Sequence, residues 1–174
     1  RGDYNPIWAG SDIYLEHIND DGNATFGNSG IPIDQDPGPQ RDPLIKCNSN
    51  GESFVVWADE KDGANIGIEV QITDSLGSIL DDNGQEVWYG VDGNALLSSS
   101  VNLTDGKYLI AWEDNRFFST GHPGSYTYGL IVDDDMDINT HQTASPLSLN
   151  PYQGPHGGNY YYRADLASNG ENIM

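Results

Sequence analysis

"DGKYLIAWEDNR", residues 105 to 116, reads as a turn, an apolar strand and then a Trp, an Asp and an Arg at alternating places. The same pattern stands earlier as "NGESFVVWADEK", residues 50 to 61. Trp57 and Trp112, Asp59 and Asp114, and Lys61 and Arg116 are each 55 positions apart. A catalytic pair is needed once, whereas a feature that recurs at a fixed period belongs to a repeating architecture. The structural repeat is therefore assigned to Trp57, Asp59, Lys61, Trp112, Asp114 and Arg116. The Trp is expected to fill the space between repeats, and the Asp and its basic partner to tie adjacent turns.

A second element repeats as well. "SDIYLEHINDDGNATFGNSGIPI" (11 to 33) matches "IGIEVQITDSLGSILDDNGQEV" (66 to 87), with Ile18 and Ile72, Gly30 and Gly84, and Ile33 and Val87 54 apart. A third copy, 126 to 149, loses the pattern after its strand. The best-preserved repeat holds four strand candidates, 44 to 47, 53 to 57, 66 to 72 and 85 to 88, separated by Gly, Asn and Asp turns of the kind that hairpins require. No segment sustains a helical period. Four antiparallel strands in each repeat of about 50 to 60 residues predict an all-β chain, a β-propeller of four-stranded antiparallel blades with about three blades present. Continuous apolar runs such as "FVVW" follow, because each blade is covered on both faces. The expected boundaries are 1–33 for the end of one blade, 43–88 and 96–149 for two blades, and 163–174 for the start of the next. Arg1 falls where Lys61 and Arg116 fall, so the chain is expected to be an excerpt of a longer one.

Together, the Asn/Asp-Gly turn, the strand ending W-x-D-x-R, "DIY-x-x-x-I-x-x-x-G" and the closing "GIPI" resemble the repeat of large secreted β-propeller proteins of Bacteroidetes-type and other environmental bacteria. Here the resemblance is carried by Trp57, Asp59, Trp112, Asp114 and Arg116, and by Asp12, Ile13, Tyr14, Ile18, Gly22 and Gly30 to Ile33. Lys61 in place of Arg, and the insert "FFSTGHPGSYTYG", depart from it. The resemblance implies an exported protein, extracellular or at the cell surface.

Charge narrows the partners. The chain carries 27 acidic against 7 basic residues, net −20, and 20 of the acids are Asp. Such a field repels nucleic-acid backbones and anionic membrane surfaces. No apolar run approaches the roughly 20 residues of a membrane-spanning helix, so membrane insertion is not expected. Protein neighbours in an extracellular assembly, glycans and cations remain as partners. Cys47 is the only cysteine, which excludes an internal disulfide, and its apolar neighbours suggest a buried structural thiol.

Several local features stand outside the repeat. Asp133, Asp135, Asp137 and Asn139 alternate oxygen ligands along one loop, the pattern that collects Ca²⁺, although the Gly and Glu of an EF-hand are absent. A solvated turn is the plainer reading of the same residues. Tyr152, Tyr160, Tyr161 and Tyr162 offer an aromatic surface for a sugar or a protein neighbour, or simply cover a blade edge. Asn23 and Asn102 head N-glycosylation sequons, and Ser75 sits in an Asp-Ser-Leu motif of the O-glycosylation type. His17, His122, His141 and His156 lack metal-ligand spacing. No nucleophile elbow, phosphate loop or HExxH occurs, and no catalytic residue is assigned.

The leading expectation is thus a non-catalytic, secreted or cell-surface propeller with a structural or adhesive role, in an extracellular assembly or filament. Two alternatives are a glycan-active propeller enzyme and a calcium-dependent module that binds glycan or protein.

Overall fold

The computed structural model describes residues 10–27, 29–60, 65–80, 84–89, 95–104, 106–114, 126–132, 145–146 and 166–167. Ten strands and no helix are found among them: β1 (Ile13–Leu15), β2 (Ile31–Asp34), β3 (Gln40–Cys47), β4 (Ser53–Asp59), β5 (Gly67–Thr73), β6 (Gln85–Trp88), β7 (Ala95–Asn102), β8 (Tyr108–Asp114), β9 (Tyr126–Val132) and β10 (Ser145–Pro146). They form three antiparallel meanders, β1-β2, β3-β4-β5-β6 and β7-β8-β9-β10. Three of the four strands expected between 44 and 88 lie within two residues of their expected bounds. The fourth, β3, begins at Gln40, because a bulge at Asp42 and Pro43 carries the pairing past the proline.

Burial follows from the stacking of the sheets. Along β4, Val55 and Trp57 join Ile13, Leu15 and Ile33 in a core between the first and second sheets. Phe54, Val56 and Ala58, on the opposite parity, meet Tyr108, Ile110 and Trp112 of the third sheet. Side chains alternate faces along a strand, so a strand buried on both faces must be apolar throughout. Phe54 and Tyr108 cross that second interface as a stacked pair, ring centroids 4.1 Å apart and 6° from parallel. Trp57 and Trp112, both fully buried, each face the preceding sheet, as expected of a residue that fills the space between repeats.

The sheets fan out. Their first strands, β3 and β7, approach each other, and β1 approaches the next sheet through β3. Cross-sheet hydrogen bonds reinforce this side: Asn102 Nδ2 donates to the Cys47 carbonyl (2.9 Å), and the Ala95 amide donates to the Ile66 carbonyl (3.2 Å).

Three hairpins share one construction, Asx-x-x-Gly. Asn19, Asn48 and Asp74 each accept, through Oδ1, the amides of the residues two and four places on, and Gly22, Gly51 and Gly77 follow at φ 81°, 82° and 83°. An Asx side chain organises the turn, and glycine takes the left-handed position without a Cβ clash.

The turns also correct the repeat alignment. Asn19 matches Asp74, and the isolated bridge Ile18–Ala24 matches Thr73–Ile79, each 55 positions away. Ile18 is therefore equivalent to Thr73 and not to Ile72. The 54-residue offset holds only from Gly30 and Gly84 onward, after one residue is lost in the intervening loop. Ile72 and Thr73 are both buried, because β5 is covered on both faces, whereas Ile18 is exposed.

Cys47, expected to be buried, is an exposed free thiol, its Sγ 3.5 Å from Ser53 Oγ. It shares the open face of β3 with Ile45, whereas the apolar neighbour Leu44 packs on the core.

Candidate functional site

The three Asx turns gather at one end of the sheets. At the other end, where β3 begins and β2 and β4 finish, the chain places Asp34, Asp36, Asp59 and Glu60 around Gln40, Arg41 and Asp42. Most of these carboxylates serve the architecture. Asp34 Oδ2 accepts the Trp57 indole N–H at 2.9 Å, joining the first sheet to the second. Asp59 Oδ1 accepts from Gln40 Nε2 at 3.0 Å, and Glu60 pairs with Arg41 at 3.1 Å. In the third sheet Trp112 donates to its own Asp114 instead, at 3.1 Å. The reason is at the position equivalent to Asp34, which is Trp88: its ring lies 6.3 Å from that of Trp112 and offers no carboxylate.

Asp42 differs from Asp34, Asp59 and Glu60, and shares its exposure with Asp36. It is exposed, and among the described residues it makes no hydrogen bond or ion pair. Its φ is 52°, the single left-handed non-glycine residue among those described, and it precedes Pro43. A residue before proline is driven toward extended backbone, so this conformation is strained and persists only where its surroundings impose it.

The bulge itself recurs. Asp42 and Pro43 oppose Trp57, and Leu97 and Ser98 oppose Trp112. The carboxylate does not recur, because Leu97 stands in its place. Bulges next to active sites commonly re-aim one side chain, and the non-repeating residue of a repeating bulge is the place to look for chemistry. Asp42 is not among the residues expected at a site, because the strand expected at 44 to 47 begins after it. Two signals were present: an Asp-Pro step opening a strand, and the unequal residues at 42 and 97.

The other expected site residues divide by position. Trp57, Asp59, Trp112 and Asp114 lie in the sheet interfaces, whereas Lys61 and Arg116, and hence the expected Asp-to-basic tie, lie outside the described residues. So do Asp133, Asp135, Asp137 and Asn139, and Tyr152, Tyr160, Tyr161 and Tyr162. Among the described residues no cluster of three His, Cys, Asp or Glu side chains is arranged to hold a metal. His17 is engaged locally, with Nδ1 2.8 Å from Thr25 Oγ1 and its ring against Phe26. Asn23 and Ser75 are exposed on hairpin turns, and Asn102 is half-buried with its amide nitrogen bonded to Cys47.

No family model and no curated protein matches the chain. Solved structures do. The chain is similar to the α-L-arabinanase of Penicillium chrysogenum complexed with arabinobiose, at TM-score 0.60 and 20% identity, over 80% of this chain and 41% of that one. It also matches the endo-arabinase of Bacteroides thetaiotaomicron, at TM-score 0.46 and 12% identity, over 76% of this chain and 50% of that one. The chain thus spans about two fifths of the first structure, and at this identity the likeness is one of fold. The stacked antiparallel meanders fit part of a β-propeller. This likeness corrects the expectation of a non-catalytic structural or adhesive propeller with no enzymatic activity, because the fold is shared with an α-L-arabinanase. A recurring W-x-D accounts only for the residues that recur, and Asp42 is not among them.

Proposed function

We propose that the chain is part of a β-propeller enzyme that hydrolyses glycosidic bonds in a neutral polysaccharide of the arabinan type. The observation that carries this reading is Asp42: exposed, unrepeated and strained, at the start of the strand on which the fan of sheets converges. Glycoside hydrolysis needs two carboxylates on either side of the scissile bond. Asp42 supplies one; the second comes from an adjoining blade across the centre. A net charge of −20 favours a neutral glycan over a polyuronate, which the same field would repel.

In this reading further blades close the ring, and the protein is exported to where polysaccharide is met. The Asp133, Asp135, Asp137 and Asn139 loop is the proposed Ca²⁺ site, and Tyr152, Tyr160, Tyr161 and Tyr162 the proposed sugar-facing aromatic surface.

The test is reducing-sugar release from debranched arabinan by the full-length protein and its Asp42→Asn variant. Release by the unaltered protein, lowered at least about 100-fold in the variant with an unchanged melting temperature, is expected. No release from any neutral glycan tried, or full activity in the variant, would overturn the assignment.

A further inference from the structure

Resting on that reading of Asp42, we infer that Gln40 is a positioning residue that holds the Asp42 carboxylate in its working geometry. A strained backbone needs neighbours that fix it on both sides. On the C-terminal side the sheet does this, with Leu44 paired to Val56 and packed on the core. On the N-terminal side the fixing falls to Gln40, two residues from Asp42 and only 2% exposed.

Gln40 is gripped from three directions. Its amide donates to the Ser11 carbonyl at 2.8 Å, and the Ser11 hydroxyl donates to the Gln40 carbonyl at 2.9 Å, which ties it to the preceding repeat. Its Nε2 donates to the Asp36 carbonyl at 3.0 Å, closing the loop that leads into β3. The same nitrogen donates to Asp59 Oδ1 at 3.0 Å, at the end of the neighbouring strand. Arg41, between Gln40 and Asp42, is held in turn by Glu60, and the Glu60 amide donates to the Pro39 carbonyl at 3.2 Å.

This arrangement exceeds what strand pairing requires. A side-chain amide spanning a loop carbonyl and a buried carboxylate fixes both the entry of β3 and the spacing of β3 from β4, the two quantities that set where the bulge projects Asp42. The equivalent position in the next repeat, Ala95, has no side chain able to do this, and there the bulge carries Leu97 in place of the carboxylate. Clamp and carboxylate therefore occur together or not at all in the two repeats.

Gln40→Leu retains bulk and removes both side-chain hydrogen bonds. The full-length variant is expected to keep its KM for debranched arabinan within about twofold and to lose about 10- to 100-fold in kcat per folded molecule, as misplacement of a reacting group by an ångström does. Asp74→Ala, which weakens a turn at the opposite end of the sheets, serves as the stability control and should lower Tm without changing kcat. If Gln40→Leu does not fold, Ser11→Ala loosens the same clamp more gently and should lower kcat several-fold. An unchanged kcat in whichever variant folds, beside a lowered Tm, overturns the positioning role and leaves Gln40 purely structural. Loss of activity in Asp42→Asn together with full activity in the clamp variants overturns this inference alone. Absence of hydrolysis by the unaltered protein overturns the proposed function and the positioning role with it.

Discussion

The two tryptophans show how far identical residues diverge when their neighbours differ. Trp57 and Trp112 are equivalent by spacing, by burial and by the bulge each opposes, yet one donates to a carboxylate of the preceding sheet and the other to its own strand. Their spacing was legible in the sequence. Their hydrogen bonds were not, because these depend on whether Asp34 or Trp88 occupies the facing strand. Asp34→Ala should leave a buried indole N–H without its partner and cost about 1–3 kcal/mol in denaturant unfolding. Asp36→Ala, whose side chain lies exposed two residues away, should fall near zero in the same experiment. Equal effects from the two variants would show that the Trp57 hydrogen bond contributes nothing.

Among the elements, the turn at 48 to 51 was legible from its Asn and Gly, whereas the matching Asx-x-x-Gly turn at 74 to 77 emerges only from the hydrogen bonds of Asp74. The strand pairing beyond them was harder: one lost residue in a loop moved Ile18 out of register with Ile72, and only the bridges and turns reveal the true match. The turn at Asp74 carries its own pH dependence. Hydrogen bonds from the Ser78 amide, foremost, and from Leu76 and Gly77 hold its carboxyl below the usual value of 3.8, against the opposing effect of burial. A depressed carboxyl pKa stabilises the fold above its unfolded value, and that contribution is lost as pH falls through the lower folded value. Protection factors for amide exchange at Ser78 and Leu76, corrected for the intrinsic pH dependence of exchange, should fall as pH drops below the usual value of 3.8 and through the lower folded value. The same fall in Asp74→Asn would show that another group is responsible.

For the whole molecule, the governing facts are the fan of sheets and the charge. With 27 acidic and 7 basic residues, self-repulsion opposes compaction. Raising sodium chloride from about 0.01 M to about 0.15 M shortens the screening length from about 30 Å to about 8 Å and should raise Tm. A Tm that does not move between those salt concentrations would mean that the acids are already neutralised locally, by pairing or by bound cations. Recurrence argued for pure architecture, whereas the fold shared with an arabinanase directs attention to residues that do not recur.

What the sequence determined by itself was the all-β class, the four-stranded sheets and the burial of Trp57 and Trp112. Each of these follows from local backbone preference or from hydrophobic pattern, which are read one segment at a time. Only the tertiary structure decided which carboxylates are bound and which are exposed. Asp34, Asp59 and Asp42 are the same side chain in the sequence; a facing indole, a buried amide and a strained bulge make them three different groups, and those neighbours come from strands far apart in the chain.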